Sequence, residues 1–364
     1  MAKVIRFIRK FFFLINLIFV LYSLLVYQLI LSVDIKHWLG GFLMLSFPVV
    51  LFFNIFFVFC WIFARSWKFL VSAIFLAITY PIINRTIKIL PENIDRSPRF
   101  SFSLTSYNLM YSDYAAFATK KDDWSAVGIL KTLDTLSSDI KCFQELYNDE
   151  REESFDVLKH LSKRSPYYIY MHSSPGNLRG KGEIGLAIFS RFPIISKKEV
   201  YWKMNNNGLL AADIVIDRDT IRVINVQLQS MGIRVQKVFN SHKEYNPQEA
   251  RNVLSQLKHG FENRAIQVNE LETWISESPY PVIVAGDFNE LPYGYAYGRI
   301  RRQLSNAFEE NGFGFGFTYH KILGFLRIDN QFYDPKSITN VTFNTYRNVP
   351  YSDHYPIKAW YLLH

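Results

Sequence analysis

The chain has 364 residues, room for one large folded domain and an appendage. Its formal charge of +9 is concentrated at the front: residues 1–100 hold 11 Lys+Arg against 3 Asp+Glu, leaving 30 against 29 in the other 264. That near balance weighs against a domain built to grip a long nucleic-acid duplex through many phosphate contacts, and two cysteines, Cys60 in an apolar run and Cys142 in a strand-like run, make no disulfide framework.

Between Phe11 and Val33 there is no charged residue, enough helix to cross a hydrocarbon core about 30 Å thick. A second uncharged run covers Trp38 to Ala64. A third, Phe69 to Ile83, is short, but Ile87, Ile89 and Leu90 extend it past Asn84 and Arg85 by tilt or snorkelling. The expectation is a membrane anchor over 1–90 with three spans, 11–33, 38–64 and 69–90. None carries the polar stripe of a soluble helix. The first is longer than a signal-peptide core and lacks a small-residue cleavage site. Lys3, Arg6, Arg9 and Lys10 before the first span, and Arg65 and Lys68 between the second and third, place those segments in the cytoplasm and the large domain on the extracytoplasmic side; Arg85, Lys88, Arg96 and Arg99 pull the other way.

Pro91, Asn93, Asp95, Ser97 and Pro98 mark a linker over 91–99. Alternation from Arg99 to Leu104 predicts a strand closed by Asn108. Trp124, Val127, Leu130, Leu133 and Leu136 predict a helix, and Ile140 to Phe143 a short strand that ends in Gln144 and Glu145. Gly185 to Phe189 reads as a strand, Ala211–Ile216 and Ile221–Leu228 as a hairpin across Asp217-Arg218-Asp219, Gln248 to Ser276 as a long helix, and Pro281 to Ala285 as a buried central strand. Strands and amphipathic helices in this order imply a layered α/β domain.

Five short polar signals sit at or after strand-like runs: Ser106-Tyr107-Asn108, Phe143-Gln144-Glu145, Gly286-Asp287-Phe288-Asn289, Arg327-Ile328-Asp329 and Ser352-Asp353-His354. Each alone fits a turn or a helix cap. Together they supply what phosphate-ester hydrolysis needs: hard oxygen ligands for a cation, a group to orient or deprotonate water, and donors for the non-bridging oxygens. Asp287 and Asn289, two apart after a buried strand, can face one pocket, and a carboxylate at Asp329 can fix the tautomer of His354 and raise its pKa.

In combination and order the chain, from about Phe100 to the C-terminus, resembles the endonuclease/exonuclease/phosphatase superfamily in a membrane-anchored, bacterial-type form. The resemblance implies a DNase I-like domain over 100–364, a four-layer sandwich of two mixed β-sheets flanked by helices. It implies Glu145 as the main ligand of Mg²⁺ or Mn²⁺, with Asp353 and Asn108 completing the metal site. Asp287 is implied as the carboxylate that activates water or holds a second metal, Asn289 as a partner of the nucleophile or of a phosphate oxygen, and His354, supported by Asp329, as the stabiliser of the transition state. Asn108 and Gln227 are expected on the substrate. Gly185 to Ile194 and Gly312 to Tyr319 look like family scaffold. Two departures stand out: Gln227 replaces a histidine common among similar members and supplies no proton, and Asn330 follows Asp329 where an aromatic is usual.

The expected function is a membrane-anchored, metal-dependent phosphoesterase acting on a nucleic acid, a lipid headgroup or a small phosphate ester, with the neutral domain and the anchor favouring the latter two. The alternative is a catalytically weakened membrane protein that binds a phosphorylated ligand without turnover, which Gln227 alone supports.

Overall fold

The computed structural model describes residues 2–89, 101–173, 182–202, 207–230, 246–321 and 326–364. The expected linker at 91–99 lies outside the described residues.

Helices α1 (Ala2–Ser32), α2 (Trp38–Leu45), α3 (Phe47–Phe63), α4 (Phe69–Ile78) and α5 (Tyr80–Ile83) come first, and β1 (Ile87–Lys88) follows. Two runs, Lys3–Ser32 and Trp38–Phe63, are long and apolar enough to cross a membrane. The third departs from expectation. It is helical only across 69–83, about 22 Å at 1.5 Å per residue, and does not continue to 90. The reason is tertiary: Arg85 donates to the carbonyl of Pro292, and Ile87 and Lys88 pair with Phe315 and Gly314, which converts the expected end of the span into a strand. Inside the bundle the few polar side chains meet one another. Asn16 donates to Ser72 at 2.9 Å and accepts from Trp61 at 3.0 Å, while Asn54 donates to Ser23 at 2.9 Å.

The remaining elements run β2 (Phe102–Asn108), α6 (Tyr114–Lys120), α7 (Trp124–Leu136), β3 (Ile140–Asn148), α8 (Val157–Ser162), β4 (Tyr167–Ser173), β5 (Glu183–Ser190), β6 (Ile194–Trp202), β7 (Asn207–Ile216) and β8 (Asp219–Gln227). Then come α9 (Pro247–Ser276), β9 (Val282–Asp287), α10 (Tyr295–Arg301), β10 (Ser305–Asn306), α11 (Ala307–Asn311), β11 (Gly314–Phe315), β12 (Asp329–Tyr333), β13 (Ile338–Thr345) and β14 (Ile357–Leu363).

Two six-stranded sheets result, ordered β13-β14-β2-β3-β5-β4 and β10-β12-β9-β8-β7-β6. Each is mixed because it holds one parallel pair, β2 with β3 and β8 with β9, among antiparallel neighbours. Leu104, Ile140, Cys142 and Ile188 of the first sheet meet Leu210, Ala212, Ile214, Val223 and Ile283 of the second in a buried interlayer. Ile129 and Leu133 of α7 and Val157 and Leu161 of α8 cover the outer face of the first sheet. On the outer face of the second, Val268, Leu271 and Ile275 of α9 pack together with Val26, Ile30 and Val33 of α1, Met44 of α2 and Phe47 of α3. The four-layer sandwich expected from the sequence is the fold that forms, with the apolar helices seated on one outer layer.

Packing rotates two helices from their sequence reading. Helix α7 buries Ala126, Ile129, Leu133 and Leu136, while Trp124 is 56% exposed and packs on Tyr351 with centroids 4.7 Å apart. In α9 the apolar contacts begin at Gly260, which leaves Leu254 exposed.

Candidate active site

The parallel pairs position the site. Asn108, at the C-terminal end of β2, stands beside Gln144 in the middle of β3, which runs on to Asn148 instead of ending at Glu145 as the sequence suggested, and Gln227 and Asp287 stand side by side at the C-terminal ends of β8 and β9. Glu145 follows Gln144 at a bulge in the β3–β5 ladder, with φ of +50°, so its carboxylate turns out of the strand toward the facing sheet. Gly286 lets the second pair close up: its φ is +147°, and a Cβ there would lie 2.0 Å from the Val226 carbonyl. Asp329 pairs directly with Asp287 across the β12–β9 ladder, and Asp353 and His354 arrive from the loop before β14. Segments separated by as many as 246 residues, from Asn108 to His354, thereby converge.

Asn108, buried, donates Nδ2 to Glu145 Oε1 at 3.3 Å and to Asp287 Oδ2 at 3.1 Å, bridging the sheets. Gln227 donates Nε2 to the same Glu145 oxygen at 2.7 Å, and its own Oε1 is buried without a partner. The amide expected on substrate is therefore spent on Glu145 in this state. Asn289 donates from its backbone N to Asp287 Oδ1 at 2.8 Å and from Nδ2 to Asp287 Oδ2 at 3.1 Å and Leu228 O at 3.0 Å.

His354 Nδ1 lies 2.9 Å from Asp329 Oδ2, the pairing that the sequence suggested, and Asn330 does not disturb it. Its Nε2 sits 3.9 Å from both Asp287 Oδ2 and Asp353 Oδ1. Arg327 does not pair with Asp329. Its guanidinium points away, to Arg85 O and Asn306 Oδ1.

Charge and burial then act against each other. Burial by itself lowers the pKa of His354, but the charge and hydrogen bond of Asp329, with Asp287 and Asp353 beyond, outweigh it and push it up to about 10. Burial raises Asp287 to about 7 against the pull of His354, and it also raises Glu145. Four carboxylates, Glu145, Asp287, Asp329 and Asp353, thus gather around His354, with the exposed amine of Lys321 3.4 Å from Asp353. Burial and mutual repulsion leave that negative charge under-compensated, and the donors are hard oxygens, so the set fits a divalent cation. Among the described residues the Asp287, Asp329 and His354 ligand atoms lie within 4.8 Å of one another, with Asp329 and His354 already paired to each other.

The sequence pattern marks Gly312 to Tyr319 as scaffold. The structure brings Tyr319 into the site, its ring edge-on to His354 with centroids 4.9 Å apart. Thr318 Oγ1 accepts from the backbone N of Ile328 and of Asp329, both at 3.1 Å, and Ser352 donates to Asn108 O at 2.7 Å. No local pattern distinguishes Thr318 and Tyr319 from core residues; their strand neighbours place them.

Two mixed sheets that gather amides, carboxylates and an Asp–His pair where they face each other make up a DNase I-like fold. The chain belongs to the Endonuclease/Exonuclease/phosphatase family, whose model matches residues 106–354. Residues 9–86 match a second model, a domain of unknown function (DUF8431). Among curated proteins the chain is similar to Protein angel homolog 2 of Danio rerio, 26% identical over 219 residues, and of Mus musculus, 27% identical over 230. These matches take in 56% and 58% of this chain and 35% and 39% of the relatives, so the chain spans little more than a third of their length. Humanized D. rerio TDP2 aligns with a TM-score of 0.50 at 18% identity, covering 71% of this chain and 98% of that one. The human Nocturnin catalytic domain with bound sulfate aligns at 0.50 and 16%, covering 72% and 94%. At such identities these structures speak for the fold alone.

Proposed function

We propose that the chain is a membrane-anchored phosphoesterase, dependent on a divalent metal ion such as Mg²⁺ or Mn²⁺, that cleaves a lipid-headgroup or small phosphate ester near a bilayer surface. The observation that carries it is the buried Asp329–His354 pair, 2.9 Å apart, set among Glu145, Asp287 and Asp353. Membrane anchoring is supported by two long apolar helices that turn large side chains outward: Phe7 is 70% exposed, Phe52 64% and Phe63 83%.

Glu145 and Asp353 would hold the metal, with Asn108 beside them. When bound it neutralises charge on the phosphoryl oxygens and acidifies water. The protein's own groups divide the rest. Asp287, with a pKa near the working pH, takes the proton of the attacking water, and the two hydrogen bonds from Asn289 hold its carboxylate in place. His354, kept cationic by Asp329, directs Nε2 into the space between Asp287 and Asp353, where it offsets the charge that develops on a non-bridging oxygen. Gln227 orients Glu145 and transfers no proton.

The test is hydrolysis by the full chain in detergent micelles, with Mg²⁺, Mn²⁺ or EDTA, of lipids carrying phosphodiester headgroups, small phosphate esters, RNA and DNA. Turnover of the lipid or small esters that both EDTA and Glu145→Ala remove supports the proposal. Turnover confined to nucleic acid overturns the substrate class. Silence of the folded chain on every substrate overturns the enzyme reading in favour of ligand capture.

A further inference from the structure

The junction between the apolar helices and the sandwich is a buried polar clasp. Thr86 accepts from Gly316 N at 2.8 Å through its carbonyl and from Tyr293 OH at 2.8 Å through its hydroxyl. Arg85 donates Nη1 to Pro292 O at 3.1 Å, and β1 pairs with β11. From the domain side Arg327, fully buried, donates Nη1 to Arg85 O and Nη2 to Asn306 Oδ1 at 2.6 Å. The guanidiniums of Arg85 and Arg327 each lie 5.7 Å from the Tyr297 ring centroid, and Tyr297 donates to Glu309 at 2.5 Å.

Three of the segments that this clasp grips also carry or support a site residue. Pro292 and Tyr293 are on the loop that follows Asp287 and Asn289. Gly316 leads to Thr318, which caps the backbone of Ile328 and Asp329, and to Tyr319 on His354. Arg327 is two residues ahead of Asp329. An apolar junction would hold the same surfaces together without burying two guanidiniums, but carbonyl and amide acceptors are directional and set the distance between them.

We propose that Arg85–Lys88 is a working part of the catalytic fold, and that Arg327 is the positioning residue through which this segment holds Asp329, and so His354, in place. The foot of the third apolar helix then sets site geometry, which ties catalysis to the anchor. The functional half of this inference rests on the phosphoesterase reading; the structural half does not.

The experiment compares Arg327→Lys and Arg327→Met with the unaltered full chain in detergent micelles, by steady-state kinetics and by hydrogen exchange of peptides. Lysine keeps the charge but reaches one acceptor instead of two; methionine keeps volume and loses both. Turnover is expected to slow by one to two orders of magnitude while KM changes by less than about threefold. Faster exchange is expected only in the peptides covering 84–89 and 326–333, with β2, β3 and β14 still protected. Unchanged turnover in a folded variant overturns the positioning role, as does exchange that rises across the whole sandwich. If Arg327→Met does not fold, Arg327→Lys carries the test. If the unaltered chain turns over nothing, the function proposal fails, and the exchange pattern still decides whether the clasp couples the two segments.

Discussion

Asp329→Asn separates the charge of the Asp–His pair from its geometry. The amide keeps an acceptor for His354 Nδ1, and its nitrogen falls where Asp329 Oδ1 is buried without a partner, so the exchange breaks no existing hydrogen bond. What it removes is one negative charge 2.9 Å from the imidazole. The rise of His354 from 6.5 to about 10 corresponds to about 5 kcal/mol of net stabilisation of the imidazolium, shared among Asp329, Asp287 and Asp353. Asp329 is the nearest and leading contributor, so its charge accounts for about half, or 2–3 kcal/mol, and its loss returns His354 toward the neutral range. That places the variant midpoint at about 8, so at pH 8 about half of its histidine is uncharged and at pH 10 about 99%, against about half in the unaltered chain, and turnover should fall behind that of the unaltered chain progressively above pH 8, by on the order of 50-fold at pH 10. Turnover measured across a pH series from about pH 6 to about pH 10 is the assay: the unaltered chain holds its rate to high pH, and the basic limb of the variant moves down by about two units. Stability follows with a definite sign. The His354 contribution is fully present below 6.5 and lost as pH rises through about 10, so the melting-temperature gap between the two chains should be widest below pH 6.5 and close above 10. A variant with the original turnover and the original basic limb would refute the cationic role of His354.

Glu145→Ala should reduce metal-stimulated hydrolysis to the EDTA baseline; a rate that still responds to Mg²⁺ would show that the cation sits elsewhere. Gln227→His should speed turnover modestly, by up to about tenfold, since an imidazole can donate to Glu145 in the same place and also carry a proton; no gain in steady-state assays would count against a role for a proton donor there. Asp287 stabilises the metal-free fold only while protonated, a contribution present below 3.8 and lost as pH climbs to about 7. Burial likewise raises Glu145, the proposed metal ligand, so Mg²⁺, which needs that carboxylate ionised, should raise the melting temperature more at pH 8 than at pH 5; an equal gain at both would count against Glu145 as the ligand. Gly286→Ala should cost roughly 3 kcal/mol or more in urea unfolding, because its Cβ meets the Val226 carbonyl at 2.0 Å, and a loss below about 0.5 kcal/mol would mean that the β8–β9 pair has slack.

Much of this protein is legible from local pattern. The apolar runs are visible because a membrane-length helix has no polar stripe, and the strands of the sandwich because buried strands read as apolar stretches. Asn108, Glu145, Asp287, Asp329, Asp353 and His354 are visible because polar residues at strand ends, in that order, carry the family pattern. Their roles are another matter. That Gln227 is spent on Glu145, that Asn108 bridges two carboxylates and that Tyr319 abuts His354 all depend on strand order and register, which bring together residues far apart in the chain. The foot of the third apolar helix shows the same limit. Its sequence reads as membrane helix up to Leu90, but Arg85 and Thr86 find Pro292 and Tyr293, and Ile87 and Lys88 find Phe315 and Gly314, across more than 200 residues. Helix and strand periodicity are properties of neighbouring residues and can be read along the chain, whereas a hydrogen-bond partner is selected by which surfaces the folded sheets bring within about 3 Å.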